Sequence, residues 1–101
     1  MAKASLLIGD IGGTNARFAI ANTRAPGFSR ERTLRCADYE SADLAIKHYL
    51  EQVRASRPTV ICLAAAGPIV AGRVRFTNNS WSLATEELCE EFGTEAVRLL
   101  N

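Results

Sequence analysis

Two adjacent glycines, Gly12 and Gly13, stand close to the start of the chain between two short apolar runs. Residues 5–9 form the first run, with Asp10 at its end; residues 16–21 form the second, broken only by Arg17. Runs this short, joined by a Gly-Gly turn, read as a β-hairpin rather than as helices. Residues 22–29 carry Pro26 and Gly27 and read as a further turn. Residues 30–36 alternate loosely enough for a third strand with a solvated face. The chain therefore opens as three sequential antiparallel strands.

Ser41 is an N-cap with Asp43 in the first turn, and Ala42, Ile46, Tyr49, Leu50 and Val53 recur at helical spacing before the stop at Pro58. Residues 59–66 are apolar on both faces, as in a central strand sandwiched between helices, and end at Gly67-Pro68. Residues 70–74 suggest a small second hairpin. A second helix is predicted over 83–92, capped by Ser82 and stopped by Gly93, with Leu88 and Phe92 on its inner face. Residues 96–100 complete the pattern as a short strand. The order β-β-β-α-β-α-β predicts a mixed α/β fold with helices laid against a mixed sheet.

In 101 residues there is room for one core, and 48% hydrophobic with 23% charged residues is the balance of a globular domain. The formal charge of +1, with no block of like charge, gives no electrostatic footprint for nucleic acid or anionic lipid. The longest apolar run, 60–66, falls far short of the roughly 20 residues of a membrane-spanning helix. No secretory leader pattern precedes Asp10, so a cytoplasmic location is expected. Cys36, Cys62 and Cys89 form no CxxC pair and read as reduced thiols.

The segment Gly9-Asp10-Ile11-Gly12-Gly13-Thr14-Asn15 is the densest chemical signal. A glycine turn brings backbone N–H groups close to a ligand, and Thr14 adds a hydroxyl. Such donors suit phosphate oxygens, yet Asp10 stands at the same turn. Like charges about 4 Å apart repel by about 4 kcal/mol at an effective dielectric near 20. A carboxylate there is consistent with a nucleotide polyphosphate only if Mg²⁺ bridges the two, through water because Mg²⁺ dehydrates reluctantly. The Gly-Gly pair reads equally well as the plain turn of a hairpin. It matches neither a Walker A loop nor GxGxxG.

The run Asp10-Ile11-Gly12-Gly13-Thr14-Asn15-Ala16-Arg17 closely resembles the first phosphate motif of bacterial glucokinases, within the sugar kinase and actin-like ATPase superfamily. Ala65-Ala66-Gly67-Pro68-Ile69 with Gly72, Phe76-Thr77-Asn78-Asn79-Ser80-Trp81, and Val97-Arg98-Leu99-Leu100-Asn101 resemble further stretches of that family, in the same order. The resemblance implies a ribonuclease H-like (actin-like ATPase) domain with a mixed five-stranded sheet, ATP and Mg²⁺ as cofactors, and glucose or a similar hexose as substrate. It implies that Gly9 to Asn15 bind the nucleotide and that Asn101 holds sugar hydroxyls. The family's catalytic Asp follows the asparagine matched by Asn101, and its downstream Glu and His residues and adenosine pocket come later still. Residues 1–101 are thus expected to be the N-terminal domain of a glycolytic kinase, unable to turn over alone and prone to self-association through surface a second domain would cover.

The remaining candidates have plainer readings. His48 lies mid-helix as a solvated or half-packed residue, Trp81 as a packing anchor, Cys62 as core, and Glu86, Glu87, Glu90 and Glu91 as a solvated face. Asn78 and Asn79 beside Trp81 read equally as hydroxyl partners lining a sugar pocket and as turn or cap residues before the second helix. The alternatives are a regulatory sugar-binding module, a kinase for another hexose, an actin-like polymerising ATPase, and a nuclease, which the near-zero charge disfavours.

Overall fold

The computed structural model describes residues 5–22, 26–76 and 81–101. Strand β1 (Ser5–Ile11) turns through Gly12–Thr14 into the antiparallel β2 (Asn15–Asn22), which pairs with β3 (Phe28–Arg35). A short 3₁₀ turn over Cys36–Asp38, absent from the sequence reading, leads to α1 (Ala42–Gln52). Ser41 caps α1 as predicted, its hydroxyl accepting from the Leu44 amide at 3.4 Å. The helix ends at Gln52, before the Pro58 stop, where Arg54 takes the left-handed conformation with φ 54°.

Strand β4 (Val60–Ala65) is parallel to β1 on one side and to β7 (Ala96–Leu100) on the other. The main sheet therefore runs β3-β2-β1-β4-β7, the mixed five-stranded sheet expected from the order of elements. Between β4 and β7 come β5 (Arg73–Arg75), β6 (Ser82–Ala84) and α2 (Thr85–Phe92). Val70 and Arg73 exchange backbone bonds across Ala71 and Gly72, whose φ values of 51° and 73° make the tight turn expected there.

Two readings need correction. Ser82, Leu83 and Ala84 do not open the second helix: they pair with Arg75, Val74 and Arg73 as β6. A good local N-cap is overridden by a strand partner, and α2 starts at Thr85, whose amide donates to the Gly72 carbonyl at 3.0 Å. Gly93 ends α2 in the left-handed conformation, as predicted.

The second correction concerns β4, which is not covered alike on both faces among the described residues. Ile61, Leu63 and Ala65 are buried, whereas Val60, Cys62 and Ala64 are only partly so. Ala45, Ile46 and Tyr49 of α1 and Leu88 and Phe92 of α2 join one cluster with Leu7, Ile11, Phe18, Ile61 and Leu63, so both helices serve the same face. Cys62 is thus half-buried on the opposite face rather than in the core, in register with Ile8 and Arg98. Trp81 is a packing anchor, almost wholly buried, with its indole N–H donating to the Tyr39 carbonyl at 2.9 Å.

Candidate functional site

Parallel strands β1, β4 and β7 all end at one edge of the sheet. Asp10 pairs with Ala64, and Ala64 with Leu100, so these three residues form one rung. Immediately beyond that rung lie the Gly12–Thr14 turn, the Ala66-Gly67-Pro68 segment and Asn101. Two strand spacings separate the outer members by about 10 Å. The carboxyl ends of parallel strands are where open α/β sheets hold ligands.

Hydrogen bonds hold the turn and its approach from both sides. The Gly12 amide donates to the Asn15 carbonyl at 2.9 Å, and the Ala66 amide to the Ile11 carbonyl at 3.0 Å. From beneath, the Cys36 amide donates to the Thr14 carbonyl at 2.8 Å and the Cys36 thiol to the Gly12 carbonyl, with sulfur and oxygen 3.7 Å apart. Burial pushes the Cys36 thiol above its ordinary pKa, so it stays protonated and able to donate.

Asp10, Gly12, Gly13, Thr14 and Asn15 line a groove of about 420 Å³ together with Arg17 and Thr33. Two other residues of the motif face elsewhere. Ile11 is wholly buried in the core, and Gly9 lies within β1, where an added β-carbon would stand 2.7 Å from Leu63 Cδ2. The Gly12 amide is spent inside the turn, which narrows the backbone donors that can face the groove. Arg17 and Thr33 were not among the binding residues inferred from sequence. Arg17 shares the groove face of β2 with Asn15, an i, i+2 signal legible in the sequence. Thr33 arrives only through its register with Arg17 across β2 and β3.

Arg17 stands opposite Asp10 in the β1–β2 register, and its guanidinium reaches Glu31 at 3.1 Å with both side chains about half exposed. The groove thus carries one carboxylate, one guanidinium and two threonine hydroxyls. Among the described residues no three His, Cys, Asp or Glu side chains gather to hold a metal ion. A lone, exposed Asp10 beside hydroxyls fits Mg²⁺, which takes one or two carboxylates, phosphate oxygens and water rather than a protein cage.

At the other end of the rung, the Asn101 side-chain amide donates to the Gly67 carbonyl. Asn78 lies outside the described residues. His48 hydrogen-bonds the Tyr39 hydroxyl on the surface of α1 and does not line the groove. Glu91 pairs with Lys47 and Glu87 with Arg73, as expected of a solvated face. None of the described helices is long and apolar enough to cross a membrane.

The glucokinase family model matches residues 7–101. A glucokinase from Chromohalobacter salexigens is 47% identical over 94% of this chain and 30% of its own length. A crystal structure of a glucokinase from an Antarctic psychrotroph superposes with a TM-score of 0.89 at 35% identity, over 99% of this chain and 33% of that one. A glucokinase from Balamuthia mandrillaris, solved in complex with glucose, shares the fold with a TM-score of 0.70 at 22% identity, over 99% of this chain and 30% of that one. The chain spans about three tenths of the length of the curated relatives it matches.

Proposed function

The chain belongs to the glucokinase family, and from that premise we propose that it is the N-terminal domain of an ATP-dependent glucokinase, a cytoplasmic enzyme of glycolysis. The whole protein transfers the γ-phosphoryl group of ATP to the 6-hydroxyl of glucose. The observation that carries this proposal is the rung Asp10–Ala64–Leu100, which sets the Gly12–Thr14 turn and Asn101 on one sheet edge, two strands apart. A phosphate donor and a hydroxyl acceptor must meet in line, so binding elements for both on one rigid edge are what positioning catalysis requires.

The residues divide the work as follows. Thr14, with the hydroxyl of Thr33 on the neighbouring strand, donates hydrogen bonds to phosphate oxygens in the groove. Arg17 supplies a guanidinium to the same oxygens when it leaves or shares Glu31. Asp10 would hold Mg²⁺ through water, and the bound ion neutralises phosphate charge. Asn101 holds sugar hydroxyls, with the Gly67 carbonyl fixing the orientation of its amide, and Asn78 joins it in the sugar pocket. The base that takes the hydroxyl proton belongs to the part of the enzyme beyond this chain. Closure of the two domains over glucose excludes water as a competing acceptor.

The curated relatives named glucokinase do not favour a regulatory sugar-binding module. The test is glucose 6-phosphate formation by the full-length protein with Mg²⁺ and ATP, compared with its Asp10→Asn variant. Because Asp10 is exposed, the variant is expected to keep its thermal stability and to lose at least about 100-fold in kcat/KM. ATP hydrolysis without sugar as fast as phosphoryl transfer, or an undiminished Asp10→Asn enzyme, would refute the proposal.

A further inference from the structure

A carbonyl oxygen turned toward a bound phosphate repels it, so a turn that holds anions must send its carbonyls elsewhere and give them donors. In the turn at 12–14 the two carbonyls of Gly12 and Thr14 are both taken by one residue. The Cys36 thiol donates to the first and the Cys36 amide to the second, from the side of the turn that faces the core. Cys36 is 2% exposed and begins the 3₁₀ turn Cys36–Asp38, itself closed by the Tyr39 amide donating to the Cys36 carbonyl at 3.2 Å. The residue beneath the turn is therefore fixed at both ends, by the core around its side chain and by its own short helix.

We propose that Cys36 is a positioning residue for the nucleotide site: its thiol and amide clip the Gly12 and Thr14 carbonyls inward, so that neither of these two carbonyls is turned toward phosphate on the groove side of the turn. The inference rests on the nucleotide site proposed above. Cys36 touches no substrate and acts only through the turn. Any residue but proline at this position keeps the amide bond to Thr14, so the thiol bond to Gly12 is the component the substitutions below remove.

The test uses the full-length enzyme with Cys36→Ala and Cys36→Val, which lack the side-chain donor, and Cys36→Ser, which keeps one. Cys36→Ala leaves space and Cys36→Val overfills it, so an effect the two share separates the hydrogen bond from a packing defect. Loss of the donor is expected to raise KM for MgATP about two- to fivefold, as befits a weak hydrogen bond, while KM for glucose stays unchanged. Cys36→Ser is expected to fall closer to the wild type. Without ligand, amide hydrogen exchange over residues 12–15 is expected to quicken in Cys36→Ala and Cys36→Val. Unchanged KM for MgATP and unchanged exchange in the donor-less variants would overturn the proposal. So would an equal rise in both KM values that Cys36→Ser shares. If the wild-type enzyme makes no sugar phosphate, the functional proposal fails, and the exchange comparison alone decides the role of Cys36.

Discussion

Leu63 fills the space in front of Gly9: a β-carbon on that glycine would stand 2.7 Å from Leu63 Cδ2, with Phe18 Cδ1 at 2.9 Å on its other side. The glycine that precedes the Gly12–Thr14 turn is thus a packing residue, two positions before Ile11 on the core face of β1. Its absent side chain lets β1, β2 and β4 close over α1, with Phe18 reaching Tyr49 at a ring separation of 5.4 Å.

Gly9→Ala is therefore expected to destabilise the protein by about 1–3 kcal/mol, the usual cost of forcing a methyl group into a filled core. Gly12→Ala is the contrast, since a β-carbon there meets nothing closer than the Asn15 carbonyl at 3.6 Å. Its effect should fall on nucleotide binding and leave the melting temperature nearly unchanged. Chemical denaturation of both variants decides this, and equal losses of stability would count against the packing role of Gly9.

Asn101 is proposed above as the sugar-side counterpart of the turn. With Asn101→Ala in the full-length enzyme, KM for glucose should rise about tenfold, the worth of one hydrogen bond to a hydroxyl, and KM for MgATP should stay put. Steady-state kinetics with each substrate varied in turn would reveal a rise in the nucleotide KM instead, which would remove Asn101 from the sugar pocket.

Stability should fall at alkaline pH. Burial holds the Tyr49 phenol above its ordinary pKa of 10.0, with Arg30 and Arg32 opposing, and the Cys36 thiol above 9.0. In both cases the folded state binds the proton more tightly, so the stabilisation is complete below about pH 9 and is lost as pH rises through the folded-state values. The Tyr49 hydroxyl also donates to the Arg30 carbonyl at 2.7 Å, a bond that ionisation abolishes. Melting curves from pH 8 to 11 should show the decline, less steep in Tyr49→Phe; a flat profile in the wild type would contradict it.

The sheet face opposite the helices carries Leu6, Ile8, Cys62 and Ala64 half-buried, with Phe28 and Leu100 more than half exposed. The 101-residue chain by itself is expected to self-associate through this face. Sedimentation velocity should detect oligomers that Phe28→Asp disperses. A clean monomer at high concentration would sink the idea.

Much of this was legible in the sequence because local rules and tertiary structure agree. Ser41 caps α1, Gly93 ends α2, and β7 occupies the predicted residues 96–100. Where distant pairing decides, the sequence misleads: Ser82 looks like a helix cap, yet the pairing with Arg73–Arg75 makes it part of a strand. The same holds at the site. The Gly-Gly turn and Asp10 announce themselves within a few residues, whereas Thr33 depends on the β2–β3 register, which shifts at a bulge beyond Phe18. Cys36 reaches under Gly12 from 24 residues away, a contact no local pattern encodes.

The most direct test of the central claim is a crystal structure of the full-length enzyme with glucose and a non-hydrolysable ATP analogue. The triphosphate is predicted to lie in the groove between Asp10, Thr14 and Arg17, with the sugar against Asn101. A triphosphate bound elsewhere, with the groove at Gly12–Asn15 holding only solvent, would contradict it.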